Sequence, residues 1–215
     1  MIESATGLIL RMRPLTETSL IVHWLTPNFG RIATVAKGAR RHKSPLAGKL
    51  DLFYLADFSF SRSRSSDLHN LCEAGLRETH NPIRADILKL QQAAYATNFI
   101  VQATETETPL PKIFELLQRF LELLCEQKSS GQIIFSFELK LLHELGLEPD
   151  WTQTNLATGT KKIAAILSEK DFLAGGNLKL TKSQIVELHQ FLHGFLIFHL
   201  GKLPRGRAAA LTVEI

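Results

Sequence analysis

The apolar pattern of this chain changes at Asn81-Pro82, and this change constrains the fold more than any other feature. Before it, short segments alternate apolar and polar residues, as β-strands do. After it, apolar residues recur every three or four positions, as in α-helices. We therefore predict an α+β protein of two domains, with a β domain at residues 1–79 and an α-helical domain at residues 80–215.

Five strand-like segments occupy the first 80 residues. The second and third are separated by Pro27-Asn28-Phe29-Gly30, a turn in which Pro fixes φ and Gly accepts a positive φ. Five short strands with polar turns between them favour a small closed barrel or a sandwich, and a five-stranded OB-fold barrel is the simplest arrangement. The segments are Thr6–Arg13, Ser19–Thr26, Arg31–Lys37, Leu52–Phe60 and Leu68–Leu76.

The remaining residues carry helix boundary signals. Asn81-Pro82 predicts a helix start, because Asn is a good N-cap and Pro is favoured at the first helical position. Gly146 predicts a helix end, and Thr181 with Gln184 forms a capping box. Residues 150–180 are more weakly patterned, and we predict an irregular insert with a short apolar piece at Ile163–Leu167.

Basic residues are concentrated in the predicted β domain. Residues 1–80 hold 11 Lys/Arg and 7 Asp/Glu, whereas residues 81–215 hold 14 of each, so the net charge of +4 belongs to the first part. Between Arg31 and Lys49 there are six Lys/Arg and no acid. Such a cluster is found on solubilising loops, but it is also the usual electrostatic footprint of nucleic-acid binding.

A small barrel binds nucleic acid with a basic groove and exposed aromatic rings, on which each stacked base contributes about 1–3 kcal/mol. The candidate stacking residues are Phe29 and His42, whereas the other strand aromatics are expected in the core: Trp24, Phe53, Tyr54, Phe58 and Phe60. Phosphate contacts should dominate, so binding should be salt-sensitive and largely independent of sequence. The candidate cations are Arg11, Arg13, Arg31, Lys37, Arg40, Arg41, Lys43 and Lys49, with Arg62 and Arg64 in a neighbouring turn.

The sequence gives no positive reason to expect an enzyme, a cofactor or a metal site. His189 and His193 share a helix face, but Gln190 stands where a zincin motif has Glu. Cys72 and Cys125 lie outside any C-x-x-C pair, and we interpret both as small core side chains. Two lone thiols and the absence of a secretory leader favour a reducing cytosol, and no apolar run approaches the ~18–20 residues of a membrane span.

Several strings of residues match a known family. They are Arg13-Pro14-Leu15-Thr16-Glu17-Thr18-Ser19-Leu20, Gly30-Arg31, Val35-Ala36-Lys37-Gly38-Ala39-Arg40-Arg41, Lys43-Ser44, Gly48, Phe137-Glu138-Leu139-Lys140-Leu141-Leu142, Leu145-Gly146 and His199-Leu200-Gly201. Together they resemble the bacterial RecO family of DNA repair proteins, and the likeness spans most of the chain. The N-terminal strings are the more specific part of the match.

The resemblance implies an OB-fold followed by a helical domain, and a recombination mediator rather than an enzyme. It implies binding to single- and double-stranded DNA, annealing of complementary strands, and help in loading the recombinase RecA onto DNA coated with the single-stranded-DNA-binding protein SSB. RecR and the C-terminal tail of SSB are the implied protein partners, and the implied location is the bacterial cytoplasm, at the nucleoid. The residues matched to DNA binding are Arg31, Lys37, Arg40, Arg41 and Lys43.

Two departures from the family pattern bear on these expectations. Many relatives carry a four-cysteine zinc module, but residues 149–180 contain no Cys, so we expect no zinc. Phe135 and Ser136 stand where relatives often have basic residues, so the SSB tail would need other cations. The candidates for that site are Arg119, Lys140 and Lys202, with Arg205 and Arg207 further along and Leu139 and Leu142 as apolar lining.

Two other functions remain open at this point. An RNA-binding OB-fold protein would use the same cations, and competition between DNA and RNA would separate it from a DNA-binding protein. A nuclease is a more distant alternative, because no cluster of metal-binding carboxylates is evident in the sequence. A cleavage assay with a divalent metal would test it.

Overall fold

The computed structural model describes residues 1–128, 130–169, 171–172 and 178–211, and it divides the chain into two compact units. The first unit comprises Met1–Asn81 and Thr104–Gln118, and the second comprises Pro82–Ala103 and Arg119–Ile215. Residues 104–118 therefore group with the N-terminal strands, although they follow the first long helix in the sequence. None of the described helices has both the length and the hydropathy needed to cross a membrane.

The first unit contains a closed barrel with the strand order β1-β2-β3-β5-β4. Neighbouring strands are antiparallel except for β3 and β5, which are parallel. This is the topology of an OB-fold, and the predicted five-stranded barrel is confirmed. The strands are β1 (Ile2–Pro14), β2 (Leu20–Thr26), β3 (Gly30–Ala36), β4 (Leu55–Ser61) and β5 (Leu68–Glu78).

Aromatic residues fill the barrel interior. The rings of Trp24 and Phe58 are stacked with their centroids 4.0 Å apart. Trp24 Nε1 donates a hydrogen bond to Thr34 Oγ1 at 2.8 Å, which satisfies the polar edge of a buried indole. The predicted burial is confirmed for Trp24, Phe53, Phe58 and Phe60, whereas Tyr54 is half-buried.

The fourth strand begins later than its apolar pattern predicts. Phe53 has a φ of 66°, a left-handed conformation that interrupts an extended strand. Its backbone N–H donates to Ile9 O at 2.9 Å, and Ile9 N–H donates to Tyr54 O at 3.0 Å. Residues 52–54 are thus tied to β1 without forming a regular strand, and β4 starts at Leu55.

The helices run from the end of the barrel to residue 210. The boundary between the two units falls within the second helix, between residues 118 and 119. In the described part of the chain the helices are α1 (Ile87–Ala103), α2 (Pro111–Glu126), α3 (Gly131–Glu144), α4 (Thr158–Glu169), α5 (Lys182–Leu200) and the single turn α6 (Arg207–Ala210).

The predicted start of the first helix, at Pro82, is wrong by five residues. Asn81–Ala85 forms a 3₁₀ helix, and α1 begins at Ile87. The carboxylate of Asp86 accepts hydrogen bonds from the backbone N–H of Leu88 at 2.8 Å and of Lys89 at 3.3 Å. Asp86 therefore provides the N-terminal cap that the sequence pattern assigned to Asn81.

Two other helix boundaries agree with their sequence signals. Gly146 has a φ of 70°, its N–H donates to His143 O, and the N–H of Leu147 donates to Leu142 O, which together form a Schellman motif. At the start of α5, Thr181 and Gln184 make both hydrogen bonds of a capping box.

Part of the segment 150–180 is regular, although its pattern predicts an irregular insert. Helix α4 covers Thr158–Glu169 and buries Ala164 and Leu167. Ser136 Oγ on α3 donates a hydrogen bond to Leu167 O at 2.9 Å. Packing against α3 thus stabilises a helix that local propensity indicates only weakly. Gly175-Gly176, another feature of the predicted insert, lies outside the described residues.

Candidate nucleic-acid interface

The strand register places three chain segments side by side at one end of the barrel. Pro14 at the end of β1 pairs with Leu20 at the start of β2, and Leu20 pairs with Ala36 at the end of β3. Arg13 lies in this end of β1, and Lys37 follows β3 directly. Both side chains are exposed, so two cations 24 positions apart in the sequence reach the same region of the surface.

Arg40 connects the β3–β4 loop to the β1–β2 turn at this end of the barrel through hydrogen bonds. Its backbone N–H donates to Thr18 O at 3.0 Å, and its Nη1 donates to Thr16 O at 3.2 Å. Thr16 Oγ1 in turn accepts the N–H of Ser19 at 3.1 Å and orders the β1–β2 turn. Both threonines belong to the Arg13–Leu20 string that resembles the family, but neither was predicted to order these loops.

The β3–β4 loop is itself a series of turns rather than a free segment. Arg41 N–H donates to Gly38 O and Ser44 N–H donates to Arg41 O, both at 3.0 Å. Leu46 is 7% exposed and packs into the barrel core, which anchors the loop. The loop therefore presents its exposed cations from an ordered backbone: Lys37, Arg40, Arg41 and Lys43.

We call Arg13, Lys37, Arg40 and Arg41 the basic end of the barrel. Arg11 lies further along β1, opposite His23 on β2. The pKa of His23 is lowered by its partial burial and by the positive charges of Arg13, Arg11 and Arg31. Burial is the larger cause of this shift, and the three arginines add a positive potential of the kind that attracts phosphates.

Two of the predicted cations lie elsewhere. Arg31 is at the opposite end of β3, half-buried, with Nη2 donating to Thr104 O at 2.5 Å. Lys49 lines a groove of about 880 Å³ together with Asp57 and Glu73. The structure thus brings Arg13, Lys37, Arg40 and Arg41 together, and it separates Arg31 and Lys49 from them.

The two candidate stacking residues have different surroundings. His42 is exposed in the β3–β4 loop. Phe29 is half-buried in the β2–β3 turn, edge-on to Phe60 with ring centroids 5.5 Å apart. The guanidinium of Arg62 lies 5.7 Å from the centre of the Phe29 ring, and Arg64 is exposed nearby in sequence.

The residues considered for an acidic peptide lie in the second unit. Arg119 is exposed in a pocket of about 130 Å³ that also contains the carboxylates of Glu122, Glu126 and Asp171. Lys140 is half-buried, with Nζ donating to Ser168 O at 2.9 Å, and burial lowers its pKa. The other candidates divide into exposed Lys202 and Arg205, and fully buried Leu139, Leu142 and Arg207.

Arg207 is therefore not available as part of a basic rim, since Glu138 binds it inside the second unit. Leu142 has no exposed surface and lies in the α3 core, so a peptide would reach it only if the helices separated. Glu138 lies in the Phe137-Glu138-Leu139 string that resembles the family, and this was its signal in the sequence. Because its carboxylate is buried, it requires a buried cation as partner.

Neither cysteine is fully buried, and the histidine pair lies on one helix. Cys72 is exposed on β5 and Cys125 is half-buried, so the interpretation of both as core side chains is wrong. Cys72 follows buried Leu71 in a strand, and alternation turns its side chain outward. The rings of His189 and His193 have centroids 6.1 Å apart on α5. Among the described residues, no three His, Cys, Asp or Glu side chains are grouped as metal ligands.

Comparison with known proteins gives one consistent family. Residues 1–80 match the model described as "Recombination protein O N terminal", and residues 84–161 match "Recombination protein O C terminal". DNA repair protein RecO of Bacillus pumilus is 32% identical over 153 residues, which are 71% of this chain and 59% of that protein. RecO of Alkaliphilus metalliredigens is 33% identical over 153 residues, with coverages of 71% and 61%.

A third relative aligns along almost the whole chain. DNA repair protein RecO of Halalkalibacterium halodurans is 25% identical in an alignment 223 positions long, which covers 99% of this chain and 87% of that protein. In the first two relatives the matched residues span about three fifths of the relative's length, at 59% and 61%.

Proposed function

The chain belongs to the RecO family, and on this premise we propose that it binds DNA and acts in DNA repair by homologous recombination. The observation that carries the proposal is the basic end of the barrel, where Arg13, Lys37, Arg40 and Arg41 are exposed on segments joined by hydrogen bonds. These cations belong to the family's N-terminal match, which covers residues 1–80.

The proposed mechanism requires no covalent chemistry. Phosphates of a single or double strand contact the basic end, and the cations offset the repulsion between two strands so that complementary bases meet and anneal. Because the β3–β4 loop is ordered by its own turns, little conformational entropy is lost when phosphates bind. Phosphate contacts carry no base information, so binding is largely independent of sequence.

In the cell, the proposed role is to help load RecA onto SSB-coated DNA, together with RecR, in the cytoplasm at the nucleoid. These partners follow from the family resemblance. The exposed cation Lys202 would flank an acidic SSB tail, with Phe198 as the nearest large exposed apolar residue in the sequence. Arg119 is less suited to this role, because three carboxylates share its pocket and would repel such a tail. Phe198 is 82% exposed, which suits contact with a tail that ends in an apolar residue.

An annealing assay with SSB-coated complementary oligonucleotides tests the central proposal. We expect the purified protein to accelerate annealing without added metal, and its DNA affinity to fall steeply between roughly 50 and 200 mM salt. A flat salt response, or no acceleration of annealing, would argue against the basic end as a phosphate site. Competitor RNA and competitor DNA of the same sequence are also compared. If the protein binds RNA, the RNA competitor should inhibit annealing more strongly than the DNA competitor.

Peptide binding is tested separately. We expect a labelled SSB tail peptide to show increased fluorescence anisotropy with the whole protein at low salt, where rim charges act most strongly. Lys202→Glu should weaken binding, and Lys179→Glu, another exposed lysine of the second unit, is the matched control. Equal binding by both variants would remove Lys202 from the site.

A further inference from the structure

Residues 104–110, which we call the acidic strap, extend the barrel at the start of β3. The strap has the sequence Thr-Glu-Thr-Glu-Thr-Pro-Leu. Thr106 forms a parallel bridge with Arg31, and the N–H of Glu107 donates to Arg31 O at 3.0 Å. At the end of the strap, the N–H of Leu110 donates to Pro27 O at 3.1 Å. The strap is therefore paired to the barrel by backbone hydrogen bonds.

The strap occupies a gap in the strand pairing. Strand β5 pairs with β3 only from Ala33 to Val35, so the first residues of β3 are not covered by β5. Gly30 allows the strap to approach closely, because a Cβ at that position would lie 1.8 Å from Thr108 O. The strap thus replaces a missing part of the barrel wall with a segment that carries Glu105 and Glu107.

The side chain of Glu107 binds a cationic and aromatic site on the barrel. Arg62 Nη1 donates to Glu107 Oε2 at 3.0 Å, and its Nε donates to Glu3 Oε1 at 2.8 Å. His69 Nε2 is 3.4 Å from Glu107 Oε1. The His69 ring stacks on Phe60 with centroids 5.3 Å apart. Its Nδ1 accepts the N–H of Ser63 at 3.3 Å, and its buried Nε2, on the side of the carboxylate, makes no hydrogen bond within the described part of the chain.

The backbone of Glu107 is in an unfavourable conformation. Its φ is 56°, in the left-handed region that non-glycine residues rarely adopt. The contacts of the strap with Arg31 and Arg62 hold it there, so part of their free energy is spent on strain. A competing ligand displaces a strained segment more easily than an unstrained one.

We propose that the acidic strap is an internal competitor of nucleic acid. Glu107 occupies a phosphate subsite formed by Arg62 and His69, and a backbone phosphate of single-stranded DNA displaces it. An arginine that pairs with a carboxylate pairs equally with a phosphate oxygen, and the neighbouring Phe29 ring stacks an unpaired base. Release of the strap also frees the guanidinium of Arg31 from Thr104 O. This inference rests on the proposed DNA-binding function and adds a second, regulated subsite to it.

With such competition, the apparent affinity for DNA equals the affinity of the open form multiplied by the fraction of molecules in which the strap is open. Removal of the Glu107 charge should therefore raise the affinity for a single strand by about two- to five-fold, the range that corresponds to loss of one exposed ion pair. The gain should depend on Arg62, because its Nη1 is the donor that Glu107 releases to the phosphate, whereas its Nε stays paired with Glu3.

The experiment measures binding of labelled oligo(dT) to four variants of the whole chain and to the wild type. They are Glu107→Gln, Arg62→Gln, the double variant, and Glu115→Gln as a control of equal charge change on an exposed residue of α2. We expect Glu107→Gln to bind more tightly than Glu115→Gln, and the gain to vanish in the double variant. Equal affinities of Glu107→Gln and Glu115→Gln, with normal wild-type binding, would overturn the strap proposal and leave the DNA-binding proposal intact.

Failure of all variants and the wild type to bind would instead overturn the DNA-binding proposal, and the strap proposal with it. Amide hydrogen exchange of the wild type provides a readout that needs no variant. The N–H groups of Glu107 and Leu110 are hydrogen-bonded in the closed strap and should exchange faster when oligo(dT) is bound. Unchanged protection in the DNA complex would overturn the proposal.

Discussion

Arg207 donates two hydrogen bonds to Glu138, a residue 69 positions earlier in the chain. Nε is 2.7 Å from Oε1 and Nη2 is 2.9 Å from Oε2, a bidentate pair. Glu138 has no exposed surface and Arg207 is 4% exposed. The hydroxyl of Tyr95 donates to the same Oε1 at 2.5 Å, so one buried carboxylate joins α1, α3 and α6.

Loss of one partner of this pair should destabilise the second unit strongly. Arg207→Met leaves the Glu138 carboxylate buried without its cation, and we expect the free energy of unfolding to fall by about 3–5 kcal/mol. Glu138→Gln combined with Arg207→Met should recover part of the loss, because no charge is then buried. Urea denaturation followed by circular dichroism measures both. A loss below about 1 kcal/mol for Arg207→Met would contradict the prediction, since that is the range of exposed pairs.

Charge reversal at the basic end should abolish annealing without unfolding the protein. Lys37→Glu with Arg40→Glu places two acids where phosphates are expected, whereas the hydrogen bond from the Arg40 backbone to Thr18 O remains. Annealing rate and circular dichroism are measured together. Lys162→Glu with Lys179→Glu makes the same charge change on exposed lysines of the other unit and should anneal normally. Normal annealing by the folded Lys37/Arg40 variant would place the DNA surface elsewhere.

The stability of the barrel should depend on the protonation of His23. Burial and the nearby Arg13, Arg11 and Arg31 lower its pKa in the folded state, below an unfolded value of about 6.5. The unfolded state therefore binds the proton more readily, and stability falls as the pH drops below about 6.5. His23→Gln should reduce the slope of stability against pH between about 7 and 5, because it removes this linked proton.

Fluorescence of Trp24 reports this effect within the barrel. Trp151→Phe removes the other tryptophan of the chain, so urea denaturation of that background follows Trp24 alone. His189 in the second unit also has a lowered pKa, from burial and from Arg207, and His189→Gln is the control that should leave the Trp24 transition unchanged. Equal slopes with and without His23 would disprove the linkage.

Gly30 and Gly48 allow backbone strain and strap displacement to be separated. Their φ values are 62° and 72°, so alanine is strained at both positions. A Cβ at Gly30 would also clash with Thr108 O, whereas a Cβ at Gly48 would have no atom within 4 Å. We expect Gly48→Ala to lower the melting temperature modestly, and Gly30→Ala to lower it more and to abolish protection of the Glu107 amide against hydrogen exchange. Retained protection in Gly30→Ala would show that the strap tolerates the methyl group.

Local patterns predict much of the fold because their causes are local. Alternation of apolar residues predicts the five strands, and Gly146 and Thr181 mark helix ends through hydrogen bonds that span only a few residues. The start of α1 was misplaced because two caps compete there, and Asp86 rather than Asn81 accepts the free N–H groups. Helix α4 was missed because its stability depends on contacts with α3 that no local pattern contains.

The sequence by itself determined the architecture of a barrel followed by helices and the concentration of cations near Lys37, since periodicity and net charge are properties of neighbouring residues. Only the tertiary structure decided which cations are exposed. Arg31 and Lys37 lie six positions apart in one charged segment, but Arg31 binds Thr104, 73 residues away, whereas Lys37 faces solvent. Arg207 is buried for the same reason. A charged side chain is stabilised by whichever partner the fold brings within hydrogen-bond distance, and that partner can be anywhere along the chain.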